Sequence, residues 1–306
     1  MKLPVALINL DNGWSHHNFD FTHLPTLFTH MAEPPALILV NEATRWWDHG
    51  GHGKYSAARA LSQRYKVPYT AEVGWLERSD HPPALIYDPT RLHLTWWGNA
   101  RSTPTLARRN TAHLLLADSD KHPTDPPDLR VVLQHWHPWD GDTRLHQARA
   151  ISWTADPRVP TLLGGDLNST ASGPHLPDKT WQHVPAHQRH HKGHQPAGPT
   201  TAWHADTRAL DHLIGTWNPQ EGKRTHGAGF HALAELAHTH GTPAEEAFRP
   251  TTNTPPEHGG AMLIDWLLVN HPLHHTLTPG TYHVHTPPTD HPPLTDHRLI
   301  TATLQL

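Results

Sequence analysis

Val159-Pro160-Thr161-Leu162-Leu163-Gly164-Gly165-Asp166-Leu167-Asn168 is the stretch whose reading decides the fold. Its apolar run reads as a short buried strand that delivers a carboxylate and an amide to its C-terminal edge. Alone the signal is weak, because Gly-Asp pairs end many ordinary strands. Its companions arrive in a fixed order. Asn9 ends Val5-Ala6-Leu7-Ile8-Asn9, Glu42 ends Ala36-Leu37-Ile38-Leu39-Val40-Asn41-Glu42, and His135 ends Leu129-Arg130-Val131-Val132-Leu133-Gln134-His135. Asp265 closes Ala261-Met262-Leu263-Ile264-Asp265-Trp266, and Thr295-Asp296-His297 opens a last strand.

Taken together, these residues resemble the endonuclease/exonuclease/phosphatase superfamily, the DNase I-like metal-dependent phosphoesterases, over residues 3 to 305. The resemblance implies an α/β (α+β) four-layer sandwich of two mixed β-sheets covered by helices, with the site where strand ends converge. It implies Mg²⁺ (or Mn²⁺) with Glu42 as principal ligand, Asn9 assisting, and Asp296 as a further ligand or holding a metal-bound water. It implies His297 as general base or acid oriented by Asp265, Asp166 orienting water, and Asn168 donating to a phosphate oxygen. His135 stands where some branches carry tyrosine and others histidine, which favours the DNase- and sphingomyelinase-like branches over abasic-site endonucleases.

The residue types suit that chemistry. Phosphodiester hydrolysis needs an activated water, neutralised phosphate charge and help for the leaving oxygen. A carboxylate such as Glu42 is the hard oxygen ligand that Mg²⁺ takes while keeping waters. Asp166 and Asn168, two apart on extended backbone, point to the same side, although an Asx turn would tie both to local backbone instead. A carboxylate behind a histidine fixes its tautomer and raises its basicity. Thr289-Asp290-His291 repeats the tripeptide of 295–297. The later copy is preferred, because Arg298–Gln305 continues as a strand whereas Pro292-Pro293 breaks the chain. His137 shares the face of His135, but Asp140-Gly141-Asp142-Thr143-Arg144 after Pro138 resembles the family's loop into a helix and favours His135.

Arg45, Trp46 and Trp47 directly follow Glu42 and are expected on the site rim, where Arg45 and Trp46 would bind substrate alongside Asn168. Aromatic and arginine groups there can stack bases, although packing in a core is the commoner use of tryptophan. There are departures from the family pattern. Met262-Leu263 stand where arginine is frequent, and Ala36 replaces a common acidic residue. Glu77 is the nearest candidate for a glutamate partner of the histidine, at a spacing longer than expected.

Length and composition bound the reading. The chain has 306 residues, and motifs spread from end to end argue for one domain, 1–306, because a single site must draw on both ends. There is no cysteine, which excludes disulfides and thiolate chemistry. Met1–Leu10 is apolar but short and runs into Asp11-Asn12-Gly13, so it reads as a strand and not a signal peptide. No apolar run reaches the length of about 18 residues that a membrane span needs. The expectation is a cytoplasmic monomer with no obligate protein partner. A net charge of −4 lacks the basic balance of a generic duplex binder, yet 33 histidines would turn the chain cationic in mild acid. A nucleic-acid partner is neither demanded nor forbidden.

Strand-like segments fall at 4–9, 36–42, 83–88, 112–117, 129–135, 160–164, 262–269, 281–285 and 297–305, with helical spacing at Lys54–Tyr65, Thr143–Trp153 and Ala228–His240. Asp142 or Thr143 is the expected cap of the second helix, and Gly241 closes the third. A His/Pro-rich loop insertion around 169–206 and a second loop at 242–260 are either substrate-facing or ornamental. The expected activity is divalent-metal-dependent phosphodiester hydrolysis, foremost that of a nuclease using single-step attack by water. The same site could serve a phospholipid, inositol phosphate or nucleotide. A non-enzymatic alternative is a metal-binding protein using His183, His187, His190, His191 and His194, since imidazole suits softer ions than Mg²⁺.

Overall fold

A computed structural model of the chain describes residues 1–17, 20–74, 81–98, 110–195, 202–286 and 295–306. Glu77 and the Thr289-Asp290-His291 copy lie outside the described residues. The first strands are β1 (Lys2–Asn9), β2 (Leu37–Asn41), β3 (Thr70–Val73), β4 (Ala84–Tyr87), β5 (Leu92–Trp97), β6 (Thr111–Leu116), β7 (Leu129–His135) and β8 (Thr161–Asp166). Short pairs follow, β9 (Gly193–His194) with β10 (His204–Ala205) and β11 (Thr216–Asn218) with β12 (Lys223–Thr225). The last strands are β13 (Phe230–Ala232), β14 (Asp265–Asn270), β15 (His283–Val284) and β16 (Ile300–Gln305). The helices are α1 (Asp48–Tyr65), α2 (Gly141–Ile151), α3 (Arg189–Lys192), α4 (Arg208–Ile214), α5 (Leu233–Thr239) and α6 (Ala244–Ala247).

Two six-stranded mixed sheets result, in the orders β15-β16-β1-β2-β4-β3 and β13-β14-β8-β7-β6-β5. In each, a central parallel pair, β1 with β2 or β7 with β8, is flanked by antiparallel strands. Both parallel pairs end at one edge, because Asn9 at the end of β1 meets Asp166 at the end of β8. The antiparallel neighbours β14 and β16 therefore begin at that edge.

The alternation of strand side chains builds the layers. Leu3, Val5, Leu7, Leu37 and Leu39 join Val131, Leu133, Leu162 and Leu267 in an apolar cluster between the sheets. Ala6, Ile8, Ile38 and Val40 point the other way, against Ala57 and Leu61 of α1. Leucines 210 and 213 of α4 and 233 and 236 of α5 extend the first cluster over the second sheet's outer face. With both faces covered, these strands read as continuous apolar runs.

The structure corrects some sequence expectations. Asp265 opens β14 instead of closing a strand. The apolar residues before it bond to a loop: Thr251 Oγ1 accepts the N–H groups of Ile264 and Asp265, both at 3.0 Å, and Thr251 N–H donates to the Met262 carbonyl at 2.8 Å. Ala228–His240 divides into β13 and α5, because Phe230–Ala232 pairs with β14. Asp140 caps α2, accepting the Thr143 N–H at 2.8 Å. The 169–206 insertion carries α3, β9 and β10 and buries Trp181 and Val184.

The Gly164-Gly165 pair has a physical reason. A Cβ at Gly164 would lie 2.5 Å from Leu39 Cδ2 of the facing sheet, and one at Gly165, where φ is +154°, would lie 1.7 Å from the Gln134 carbonyl oxygen. Gly165→Ala is expected to lower stability by about 2 kcal/mol or more through overpacking against backbone. Urea unfolding measures this, and a loss below about 0.5 kcal/mol, the range of neutral surface changes, would contradict so close an approach of β7 and β8.

Candidate active site

Strand register assembles the first three groups. His135 of β7 pairs with Asp166 of β8, and Asp166 pairs with Asp265 of β14, so one row crosses three strands. The facing sheet sets Asn9 beside Asn41. Asn41 Oδ1 accepts the Asp166 N–H at 2.7 Å, and its Nδ2 donates to the Gln134 carbonyl at 2.9 Å. Asn9 Nδ2 donates to Asp166 Oδ2 at 3.3 Å and to Glu42 Oε1 at 3.1 Å. Two buried asparagines thus join the sheets where the candidate site lies.

His297 enters from the segment before β16. Thr295 Oγ1 donates to the Asn9 carbonyl at 2.7 Å and accepts the His297 N–H at 3.2 Å. His297 Nδ1 lies 2.8 Å from Asp265 Oδ2, and its Nε2 lies 3.7 Å from Asp166 Oδ2. Ligand atoms of Asp166, Asp265 and His297 fall within 4.8 Å of one another, close enough to hold a metal ion. Asp265 Oδ1 is buried with no hydrogen-bond partner among the described residues.

Charge is concentrated here. Burial opposes ionisation of His297, but the Asp265 and Asp166 carboxylates prevail and raise it to about 10. Burial also opposes the charge on Asp166, yet His297, His135 and Lys192 together hold its carboxyl below the usual carboxylate range. Burial pushes the Asp265 carboxyl up, with His297 acting against the rise and the Asp166 charge adding to it. An anionic Asp166 therefore sits beside a proton-bearing His297.

Glu42 stands just past β2 with a φ of 58°. Its Oε2 accepts the Asn12 N–H at 2.8 Å, while Oε1 lies 3.9 Å from His135 Nε2. His81, which the sequence reading did not single out, places Nδ1 3.8 Å from Glu42 Oε2 and 2.9 Å from Thr44 Oγ1. Asp296 lies at the mouth, where partial burial and the charges of Asp11 and Glu42 push its carboxyl up against the pull of His297. Asn9 Oδ1 accepts the Asp11 N–H at 3.1 Å while its nitrogen faces Glu42, so Asn9 orients that carboxylate.

Asn168 has a φ of 49°, and its N–H donates to Asp166 Oδ1 at 2.9 Å, which is the Asx geometry weighed above. Its side chain nevertheless stays in the site, with Nδ2 donating to the Trp136 carbonyl at 3.0 Å and Oδ1 accepting from Lys192 Nζ. Sequence reasoning missed Lys192, which carries no motif and sits among histidines. The rim expectation fails for Trp46. It is fully buried against Phe21, with ring centroids 5.1 Å apart, and its indole N–H donates to the Gly13 carbonyl at 3.0 Å. Its neighbours in the apolar cluster explain why: packing claimed the ring. Arg45 is exposed and pairs with Asp48 at 2.7 Å.

No protein-family model and no curated protein matches the sequence. Among solved structures, a humanized D. rerio TDP2 is similar at 13% identity and a TM-score of 0.58, covering 100% of this chain and 99% of that one. An endonuclease/exonuclease/phosphatase family protein from Bacteroides thetaiotaomicron is similar at 13% identity and a TM-score of 0.56, covering 99% and 95%. An AP endonuclease from Archaeoglobus fulgidus is similar at 12% identity and a TM-score of 0.55, covering 99% and 100%. The chain has the DNase I-like fold of the endonuclease/exonuclease/phosphatase superfamily.

A buried ion network braces the site from behind. Arg144, fully buried, approaches Asp206 at 3.8 Å and donates to the His137 and His191 carbonyls at 3.1 and 2.9 Å. Burial opposes the Asp206 charge, but Arg208 and Arg144 hold its carboxyl below the usual range. Asp206→Asn strands a buried guanidinium and is expected to cost about 3 kcal/mol at pH 7. Because the folded-state value is the lower one, that stabilisation is present above the unfolded value of about 3.9 and disappears as pH falls through the folded value. Urea midpoints of wild type and variant should therefore converge in strong acid, and a gap independent of pH would contradict the assignment.

Proposed function

We propose that the protein is a divalent-metal-dependent phosphodiester hydrolase, acting foremost as a nuclease, whose whole chain forms one catalytic unit. The observation that carries this reading is the Asp166, Asp265 and His297 cluster beside Glu42, on a fold shared with proteins named as endonucleases. Among the described residues no helix is long and apolar enough to cross a membrane.

Glu42 and Asp296 fit a cation by their chemistry: both are hard carboxylate oxygens, and like charges converge on Asp296. They would hold Mg²⁺ or Mn²⁺, with Asn9 orienting Glu42, and the cation would neutralise charge on the phosphate. The remaining work falls to the chain's own groups. Asp166, anionic and central, orients a water and accepts its proton. His297, protonated and held by Asp265, donates to a phosphoryl oxygen as negative charge builds in the transition state. His135 and the second amide N–H of Asn168 offer further donors to the phosphate. The direct Nδ1 contact between His297 and Asp265 favours a proton over a metal in that cluster.

A second substrate class, a phospholipid, inositol phosphate or nucleotide, is favoured by the absence of a basic balance in the net charge of −4. Glu42→Ala, Asp166→Asn and His297→Ala are each expected to lower divalent-dependent turnover of plasmid DNA and bis(p-nitrophenyl) phosphate by at least about a hundredfold, with folding retained. Undiminished turnover in all three variants would end the assignment. For a nuclease, affinity should fall steeply with salt as counterions are released. Turnover of the small diester with no cleavage of nucleic acid would move the reading to the second class.

A further inference from the structure

The His/Pro-rich insertion brings one charged side chain, that of Lys192, against Asn168. Lys192 closes α3, and its ammonium reaches across to the site edge, donating to Asn168 Oδ1 and, at 3.0 Å, to the Pro138 carbonyl. An ammonium has three N–H donors, and no third acceptor is found among the described residues. Asn168 uses one amide N–H on the Trp136 carbonyl and retains a second. Two unengaged donors, one of them cationic, therefore stand side by side next to Asp166.

The surrounding contacts are those of a support, not of an ornament. Arg144 clamps the His191 carbonyl and the His137 carbonyl at once. The Asp206 N–H donates to the Lys192 carbonyl at 2.8 Å, which links the segment to the buried ion network. Gly193 next in the chain is pressed so closely that a Cβ would lie 2.7 Å from the Trp181 ring and from the Arg189 carbonyl oxygen. A lysine side chain is otherwise costly to order, and a loop free of function would leave it in solvent.

Resting on the functional reading above, we propose that Lys192 is a phosphate-contacting residue, gripping with Asn168 the phosphoryl oxygens of the substrate. The site already gathers Glu42, Asp166, Asp265 and Asp296, so an incoming phosphate needs cations of the protein's own. The electrostatics agree with the geometry. Burial pushes the Lys192 amine down to about 7 against the opposing pull of Asp166, with Arg144 and Lys179 adding to the fall. A phosphate anion bound against it would hold the proton in place.

The test is equilibrium binding of inorganic phosphate in EDTA, so that only the protein's cations are read. Wild type, Lys192→Gln and Lys192→Arg are compared, with the exposed His190→Ala as control. Glutamine can still donate to Asn168 but carries no charge, which separates a strut from a phosphate contact. Lys192→Gln is expected to weaken phosphate binding about tenfold or more, with partial recovery in Lys192→Arg and no change in His190→Ala. In turnover of bis(p-nitrophenyl) phosphate, the loss should appear mainly in KM. Equal phosphate affinity in wild type and Lys192→Gln, or no binding by wild type, overturns the proposal. A second measurement needs no variant: phosphate should protect Lys192, and not the exposed Lys66, from reductive methylation read by mass spectrometry. Unprotected Lys192 overturns the proposal as well. If wild type hydrolyses no diester, the functional reading falls while these binding measurements still decide the role of Lys192.

Discussion

The buried hydrogen bond from the Asp166 N–H to Asn41 Oδ1, at 2.7 Å, is the interaction on which the rest depends. It fastens the end of β8 to the end of β2, and with the Asn9 contact to Asp166 it sets the spacing of the two sheets at their shared edge. An unpaired backbone or amide group there would be costly in so dry a place, and both asparagines are engaged through oxygen and nitrogen alike. The apolar cluster behind them supplies the non-directional force that packs the sheets. The asparagines supply direction, and without them the row of His135, Asp166 and Asp265 would have no fixed distance to Glu42.

That edge concentrates groups which a fold seeking only stability would keep apart. Asp166 and Asp265 are nearly inaccessible and neighbours in register, an arrangement tolerated because His297 lies between their charges. Glu42, Asn168 and Arg45 all carry positive φ, a conformation that costs free energy for residues with a side chain. Acidic repulsion is thus concentrated at one edge, where Glu42 and Asn168 also hold positive φ. A local departure from stability rules beside a well-packed scaffold agrees with the functional reading proposed for this edge.

Much of this was legible in the residues. The apolar runs of β1, β2, β7 and β8 announce strands buried on both faces, and the carboxylate, amide or imidazole at or just past each end marks the edge where the candidate site lies. The expectation that Asp265 closes a strand fails because an apolar run does not reveal that Thr251 captures its first half. Trp46 was misplaced for a related reason: adjacency to Glu42 in sequence says nothing of which side of the turn a ring takes, and the second apolar cluster took it. Lys192 was invisible, because its segment shows no periodicity and its meaning comes from Arg144, Asp206 and Asn168, all distant in the chain.

By itself, then, the sequence determined the apolar strand segments, their order along the chain and the polar residues beside them, which follow from periodicity and local turn chemistry acting over a few residues. The sandwich itself was legible only through the resemblance that those residues carry. Only the tertiary structure decided which groups meet: the row of His135, Asp166 and Asp265, the direct contact of Asp265 with His297, the approach of His81 to Glu42, and the reach of Lys192 to Asn168. Such contacts depend on strand register and on the spacing of two sheets, distances set by packing across the whole molecule, which no local pattern encodes.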